Sequence, residues 1–253
     1  MSFPILTVLL GCAIVLAQAL PAPNPKEVLD SKGDKAPTLD TIKDQKADEK
    51  FSIANWVSPP EVVKNFPYYL SGYDHEDRPI VVIDIGKWDA RSWHKKGKED
   101  WANLEHHAEK MLDILRSGIL AKNFTDENNV TKPVTDEMGL IVDFDGFNVA
   151  QMTSPHVLAF MTKYLGQLET IQEKLAYAYF EKLAYAYFVN VNAVASVVVR
   201  LLRPVMGKAM ERVEIYGTKP SQWMPILRRN LPGDQIPKKY GGEQGHNSLV
   251  NYG

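Results

Sequence analysis

Thiols are nearly absent from this 253-residue chain, whose one cysteine is Cys12. A disulfide within the chain is therefore excluded, and stability must come from burial, which a chain this long can supply. A basic excess is absent as well: 29 Lys and Arg face 31 Asp and Glu, for a net charge of −2. That balance argues against a general polyanion binder, so no nucleic-acid partner is expected. The sequence holds no G-x-S-x-G, no P-loop lysine motif and no dinucleotide fingerprint, and nothing in it forms a catalytic constellation. Between Pro21 and Lys50 there is no aromatic residue. Such a charged, proline-containing stretch cannot bury enough apolar area to repay ordering.

What is present begins with an uncharged run, Phe3–Leu20. Its ILTVLLGCAIVLA core has the length of a secretory signal, and Ala17-Gln18-Ala19 supplies a small-x-small cleavage pattern, although no Lys or Arg precedes the run. Residues 1–19 are expected to be a signal peptide and the protein to be secreted. The alternative is an uncleaved segment that anchors the chain, since the run is just long enough to span a membrane with help from its flanks. Two glycosylation acceptors, Asn123-Phe124-Thr125 and Asn129-Val130-Thr131, agree with a secretory route. Residues 20–50 are then a disordered linker, 51–242 the folded domain and 243–253 a tail.

Within the folded part, PIVVIDIGKW (Pro79–Trp88) is a β-branched run that predicts a strand, entered through the turn-like SGYDHEDRP. Trp101, Leu104, Ala108, Met111, Leu112 and Leu115 fall at helical spacing between Lys98 and Ser117, and Gly118 is placed to end that helix. GLIVDFDGF predicts a second strand, and Ser154-Pro155 an N-cap and first-turn proline for a helix through Val157 and Tyr164. AYFVNVN predicts a third strand, Ala193–Met206 a very apolar helix, RVEIYG a fourth strand and SQWMPILRRN a short final helix. Strands alternating with helices imply an α/β fold: a mainly parallel sheet with helices packed on it. The doubled EKLAYAYFEKLAYAYF, Glu173–Phe188, has a period of eight residues. That is far below the roughly 20–50 of repeat folds, so the doubling is a local event.

Two motifs invite chemistry. IVDFDGF ends a strand in D-x-D-G, which resembles the nucleophile motif of haloacid-dehalogenase-type phosphatases. That chemistry needs a later acidic pair for magnesium, and beyond Asp145 the only aspartate is Asp234. The two carboxylates are therefore expected to face solvent or cap the following turn. His106-His107, with Glu105, Glu109 and distant His94, suggests a metal site, but adjacent helical residues point about 100° apart and cannot chelate as an i, i+4 pair does. The pair is expected on the polar face of the helix, and no metal is expected. Ala193–Met206 is more unusual, because Val194, Val197, Val198, Val199, Leu201, Leu202 and Val205 leave little polar face. A helix apolar nearly all round is buried in a core or faces lipid. Arg200 and Arg203 can bury their stems while their charges reach water or phosphate, and Pro204 should kink or end the helix.

Taken in order, NWVSPPEVVKNFPYYLSGYDHEDRPIVVIDIGKWDAR, EKLAYAYFVNVNAVASVVVRLLRPVMGKAMERVEIYG and IPKKYGG resemble the CRAL-TRIO lipid-binding family. The first segment is similar to that of the supernatant-protein-factor branch, and the last to the family's terminal strand-and-glycine signature. The resemblance implies a sheet that floors a hydrophobic cavity, with Ala193–Met206 as a movable gate. Val194, Val197, Val198, Leu201, Leu202 and Val205 would line gate and cavity. It also implies a non-enzymatic carrier of one phospholipid, phosphoinositide or tocopherol- or retinoid-like lipid. Such a carrier is a monomer that meets membranes transiently and needs no cofactor beyond its bound lipid. The alternative is a lipid-sensing protein that recruits a partner and transfers nothing. In phosphoinositide-binding relatives, residues matching Glu181, Lys182 and Arg212 hold the headgroup. Deleting either eight-mer restores the family pattern, so the doubling resembles a tandem duplication. Its second copy, continuous with Val189-Asn190, is then the strand.

Overall fold

Pro60 opens helix α1 (Pro60–Asn65), at whose start a missing N–H costs nothing. Strand β1 (Tyr68–Tyr73) follows, antiparallel to β2 (Pro79–Ile83). The stretch expected only as a turn thus contains the end of a strand. The turn itself is built on Asp74, whose carboxylate accepts from the Glu76 and Arg78 amides at 2.9 and 3.0 Å and from Arg78 Nε at 2.7 Å. The predicted Pro79–Trp88 strand stops early, because Asp84 leads into a 3₁₀ turn, Ile85–Lys87.

Helix α2 (Ala90–His94) precedes the long helix α3 (Lys98–Ser117), which Gly118 ends in the left-handed region at φ 70°. An exposed hairpin, β3 (Asn123–Thr125) and β4 (Thr131–Pro133), then leads to β5 (Met138–Asp143) and α4 (Val149–Thr153). Helix α5 begins at Pro155 and is described to Tyr164. After it come β6 (Leu183–Val189), α6 (Ala193–Met206), β7 (Val213–Ile215), α7 (Pro220–Asn230) and β8 (Val250–Asn251). The computed structural model describes residues 53, 55–157, 159–160, 163–164 and 183–252. The expected signal and linker, and the first EKLAYAYF copy, lie outside them.

The six strands run β7-β6-β5-β2-β1-β8, with β2, β5, β6 and β7 parallel and β1 antiparallel to both neighbours. This is the expected α/β sheet, and its third parallel strand is the second copy of the doubled segment. Period-two alternation splits the strands between two layers. Val81, Ile83, Leu140, Val142, Ala186 and Phe188 face α1–α3 and α6. Ile80, Val82, Ile141, Tyr187 and Val189 face α7 and the segment after it, through Trp223, Leu227, Leu231, Ile236 and Tyr240.

Three expectations need correction. IPKKYGG forms no strand: Lys238–Tyr240 is a 3₁₀ turn, and a Cβ on Gly242 would run into the Ile236 carbonyl. Residues expected as a tail cap the sheet edge instead. β8 pairs with β1, the Tyr252 amide donates to Tyr68 O at 3.1 Å, and the two tyrosine rings stack 5.6 Å apart. His107 is not on a polar face but fully buried. Its Nε2 lies 2.9 Å from the Phe66 carbonyl, which only an N–H can satisfy, so Nδ1 accepts from the Ser58 hydroxyl at 2.8 Å. Burial pushes its pKa down and keeps it neutral.

Candidate functional site

Helix α6 begins where the sequence gives Asn192, whose side chain accepts from the Ala195 amide at 2.9 Å and donates to the Phe147 carbonyl at 2.7 Å. This N-cap ties the start of α6 to the loop after β5. The helix runs on two residues past Pro204 before Gly207 ends it. Ala195, Val198, Val199 and Met206 are buried against Phe144, Leu183, Ala186 and Phe188 of the sheet side. Val194 and Val197 are half-buried, while Arg200, Arg203 and Pro204 are exposed. The backbone of Leu201, Leu202 and Val205 is helical, and their side chains lie outside the described ones.

The sheet beneath α6 is unusual at its centre. β5 is flanked by β2 and β6, where apolar side chains ordinarily bury completely, and its Ile141 is indeed 0% exposed. On the α6 side, however, Leu140 and Val142 of the same strand are only half-buried. Leu140 and Ile85 touch both the cluster under α1–α3 and the cluster under α6, so they mark the seam between the two sets of helices. The central strand thus presents an apolar strip that these helices do not fully cover. No sequence pattern announces such a strip, because a buried and a half-buried valine read alike.

Arg212 ends a 3₁₀ segment, Gly207–Arg212, and donates through Nη1 to the carbonyl of Leu183, the first residue of β6. Its guanidinium therefore lies beside the residue that follows Lys182 in the chain. Glu181 and Lys182 lie outside the described residues.

The D-x-D-G strand end divides the two expected roles: Asp143 caps the following turn and Asp145 is exposed. Asp143 is buried, and its carboxylate accepts from Asn190 Nδ2 at 2.8 Å, the Asp145 amide at 3.0 Å and the Tyr240 hydroxyl at 2.9 Å. Its carboxylate is thus taken up by structural hydrogen bonds at the strand end. Tyr240 also lies 2.8 Å from Asp84, which Lys239 and Lys87 approach to 2.7 and 2.9 Å. Burial alone would raise the Asp84 pKa, yet the Lys239 and Lys87 ammoniums and the Tyr240 hydroxyl hold it below the ordinary range. Burial and the charges of Asp143 and Asp84 drive the Tyr240 phenol far upward. This network joins the ends of β2 and β5 to the final segment, and sequence reading missed it.

Both acceptor asparagines are exposed on the β3–β4 hairpin, Asn123 at its start and Asn129 in its turn at φ 58°. Their sequon hydroxyls, Thr125 and Thr131, meet across the hairpin at 3.3 Å. A cavity of about 450 Å³ lies behind it, lined by Ile114, Leu115, Ile119, Leu120, Pro133 and Met138 among others. None of its lining residues belongs to α6 or β6, so it is not the space under α6. No group of acidic, histidine or cysteine side chains among the described residues is placed to hold a metal.

A family profile described as the CRAL/TRIO domain matches residues 64–242. Among solved structures, one described as the crystal structure of Sfh5 is similar, with a TM-score of 0.50 and 17% identity, over 79% of this chain and 65% of that one. The chain thus spans just under two thirds of that protein, and the likeness is one of fold. Comparison with curated proteins finds no match. Neither likeness separates the supernatant-protein-factor branch from its siblings.

Proposed function

Because this chain belongs to the CRAL/TRIO family, a family of lipid-binding domains, we propose that it is a secreted carrier holding one lipid between the sheet and α6. The observation that carries the proposal is the half-buried apolar strip Leu140–Val142 at the centre of the sheet. Leaving such a strip open to water forgoes about 25 cal/mol per Å² of burial, and a lipid tail under α6 recovers it. The apolar α6 covers the ligand when closed. When it swings out, Val194 and Val197 enter the acyl boundary while Arg200 and Arg203 reach the phosphates. Glu181, Lys182 and Arg212 form the headgroup site in this proposal. Two cations serve a phosphate and one carboxylate accepts from hydroxyls, and the contact of Arg212 with Leu183 supports their proximity.

Secretion with loss of residues 1–19 and glycosylation of Asn123 or Asn129 complete the proposal. Expression in secretory cells should give a form in the medium whose mass falls on deglycosylation. Retention with an intact N-terminus returns the membrane-anchored alternative. For the carrier itself, the purified chain should move labelled phospholipid between vesicles. Lipid bound without transfer would favour the sensing alternative, and a chain with no lipid defeats both.

A further inference from the structure

We propose that His94 and His156 form an acid-released clasp that holds the start of α5 against α2 and α3. His94 is the last residue of α2 and His156 the second of α5, and their imidazoles stack with centroids 3.7 Å apart at 16°. The stack continues inward. The edge of His94 meets Trp101 of α3 at 5.0 Å, Trp101 meets Phe160 of α5 at 5.4 Å, and Phe160 meets Tyr164 at 4.6 Å. Tyr164 closes the far end by donating to the Glu105 carbonyl at 2.8 Å, and Lys163 pairs with Glu105 and Glu109. The outer end of this ladder rests on the histidine pair.

That pair is poised to fail in acid. Neutral imidazoles stack without electrostatic cost, and a single proton leaves one cation stacked on a neutral ring. A second proton puts two like charges 3.7 Å apart, and even in water that repulsion corresponds to roughly a sevenfold change in an equilibrium. The surrounding charge does not compensate. The elements that carry the pair bear Arg91 on α2, Lys95 and Lys96 just after it, Lys98, Glu99, Asp100 and Glu105 on α3, and Lys163 on α5. Lys96 is engaged by Glu61, Lys163 holds Glu105, and among the described residues no carboxylate pairs with either imidazole. Partial burial and the neighbouring His156 both push the His94 pKa down. A group so depressed contributes stability that is present above its unfolded pKa of about 6.5 and is lost as pH falls. The clasp stands independently of any bound lipid.

The test is hydrogen exchange of the full chain, followed by mass spectrometry and corrected for the intrinsic pH dependence of exchange. Protection of peptide 155–164 is taken relative to peptide 220–230, which cancels global unfolding. From about pH 7.5 to about pH 5 the wild-type ratio should fall roughly sevenfold or more. His94→Gln and His156→Gln each leave at most one charge and should hold the ratio constant. His156 is exposed and His94 half-buried, and circular dichroism checks that the variants fold. A wild-type ratio that ignores pH, or the same fall in both variants, overturns the clasp.

Discussion

The two faces of the central sheet are covered in different ways. Toward α7, Ile80, Val82, Ile141 and Val189 are sealed, and a polar knot of Asp84, Asp143, Lys239 and Tyr240 pins the final segment to the strand ends. Toward α6, the described cover is the apolar set Ala195, Val198, Val199 and Met206, tied at one end by Asn192, and Leu140 and Val142 are not sealed. A face closed by buried hydrogen bonds to charged groups resists local opening, since each partner left alone is costly. A face closed by an apolar helix can open wherever another apolar surface replaces the sheet. In the proposed carrier, the first face stays closed and the second exchanges its partner.

The contrast makes graded predictions. Leu227→Ala, on the sealed face, should cost about 2–5 kcal/mol by transfer and cavity terms. Val194→Ala, half-buried on α6, should stay within about 1 kcal/mol, because little surrounding structure is left unfilled. Denaturant titration of both variants decides, and equal losses would remove the asymmetry. Next in size is Tyr240→Phe. It withdraws the one hydroxyl between two buried carboxylates and should cost about 1–3 kcal/mol, seen as a lower Tm near neutral pH with the fold retained. A Tm equal to wild type would mean the knot is ornamental.

A smaller effect follows from His107, on the buried side of α3. Its pKa is depressed by burial, so its contribution is whole above about pH 6.5 and is lost on acidification. His107→Asn should lower stability at neutral pH but flatten its slope between about pH 6.5 and pH 5. A slope unchanged by the substitution would show that other groups set it. The smallest effect is expected from removing Glu173–Phe180. Because β6 is the second copy, the deletion should keep the fold, raise Tm slightly and preserve lipid binding. Unfolding would show that the first copy is an integral wall.

Much of this was legible beforehand, and the misses have physical causes. α3 and α6 were read to their ends, because helical spacing, Gly118 and a long apolar run are local signals. The second copy was assignable to a strand because it runs straight into Val189-Asn190. The short strands β1 and β8 were missed, since their pairing depends on each other and on β2 rather than on composition. His107 was misplaced because its partners, Ser58 and Phe66, are 49 and 41 residues away. The same distance effect hid the Asp84–Tyr240–Asp143 knot, which spans 156 and 97 positions. Of the headgroup trio, Arg212 lies beside the start of β6, and Glu181 and Lys182 lie outside the described residues.

The most direct test of the account places one enlargement on each side of the sheet. Val82 is 0% exposed and faces α7, whereas Val142 is half-buried and faces α6. Val82→Phe should overpack its site and cost about 1–3 kcal/mol. Val142→Phe should cost little stability but fill the space proposed for a lipid tail. Mass spectrometry of lipid copurified from native secretory cells, read beside thermal melts, gives both quantities for each variant. The account predicts about one lipid per wild-type chain, retained by folded Val82→Phe and lost from Val142→Phe. A lipid-free wild type, or a Val142→Phe chain as destabilised as Val82→Phe with its lipid intact, would contradict it.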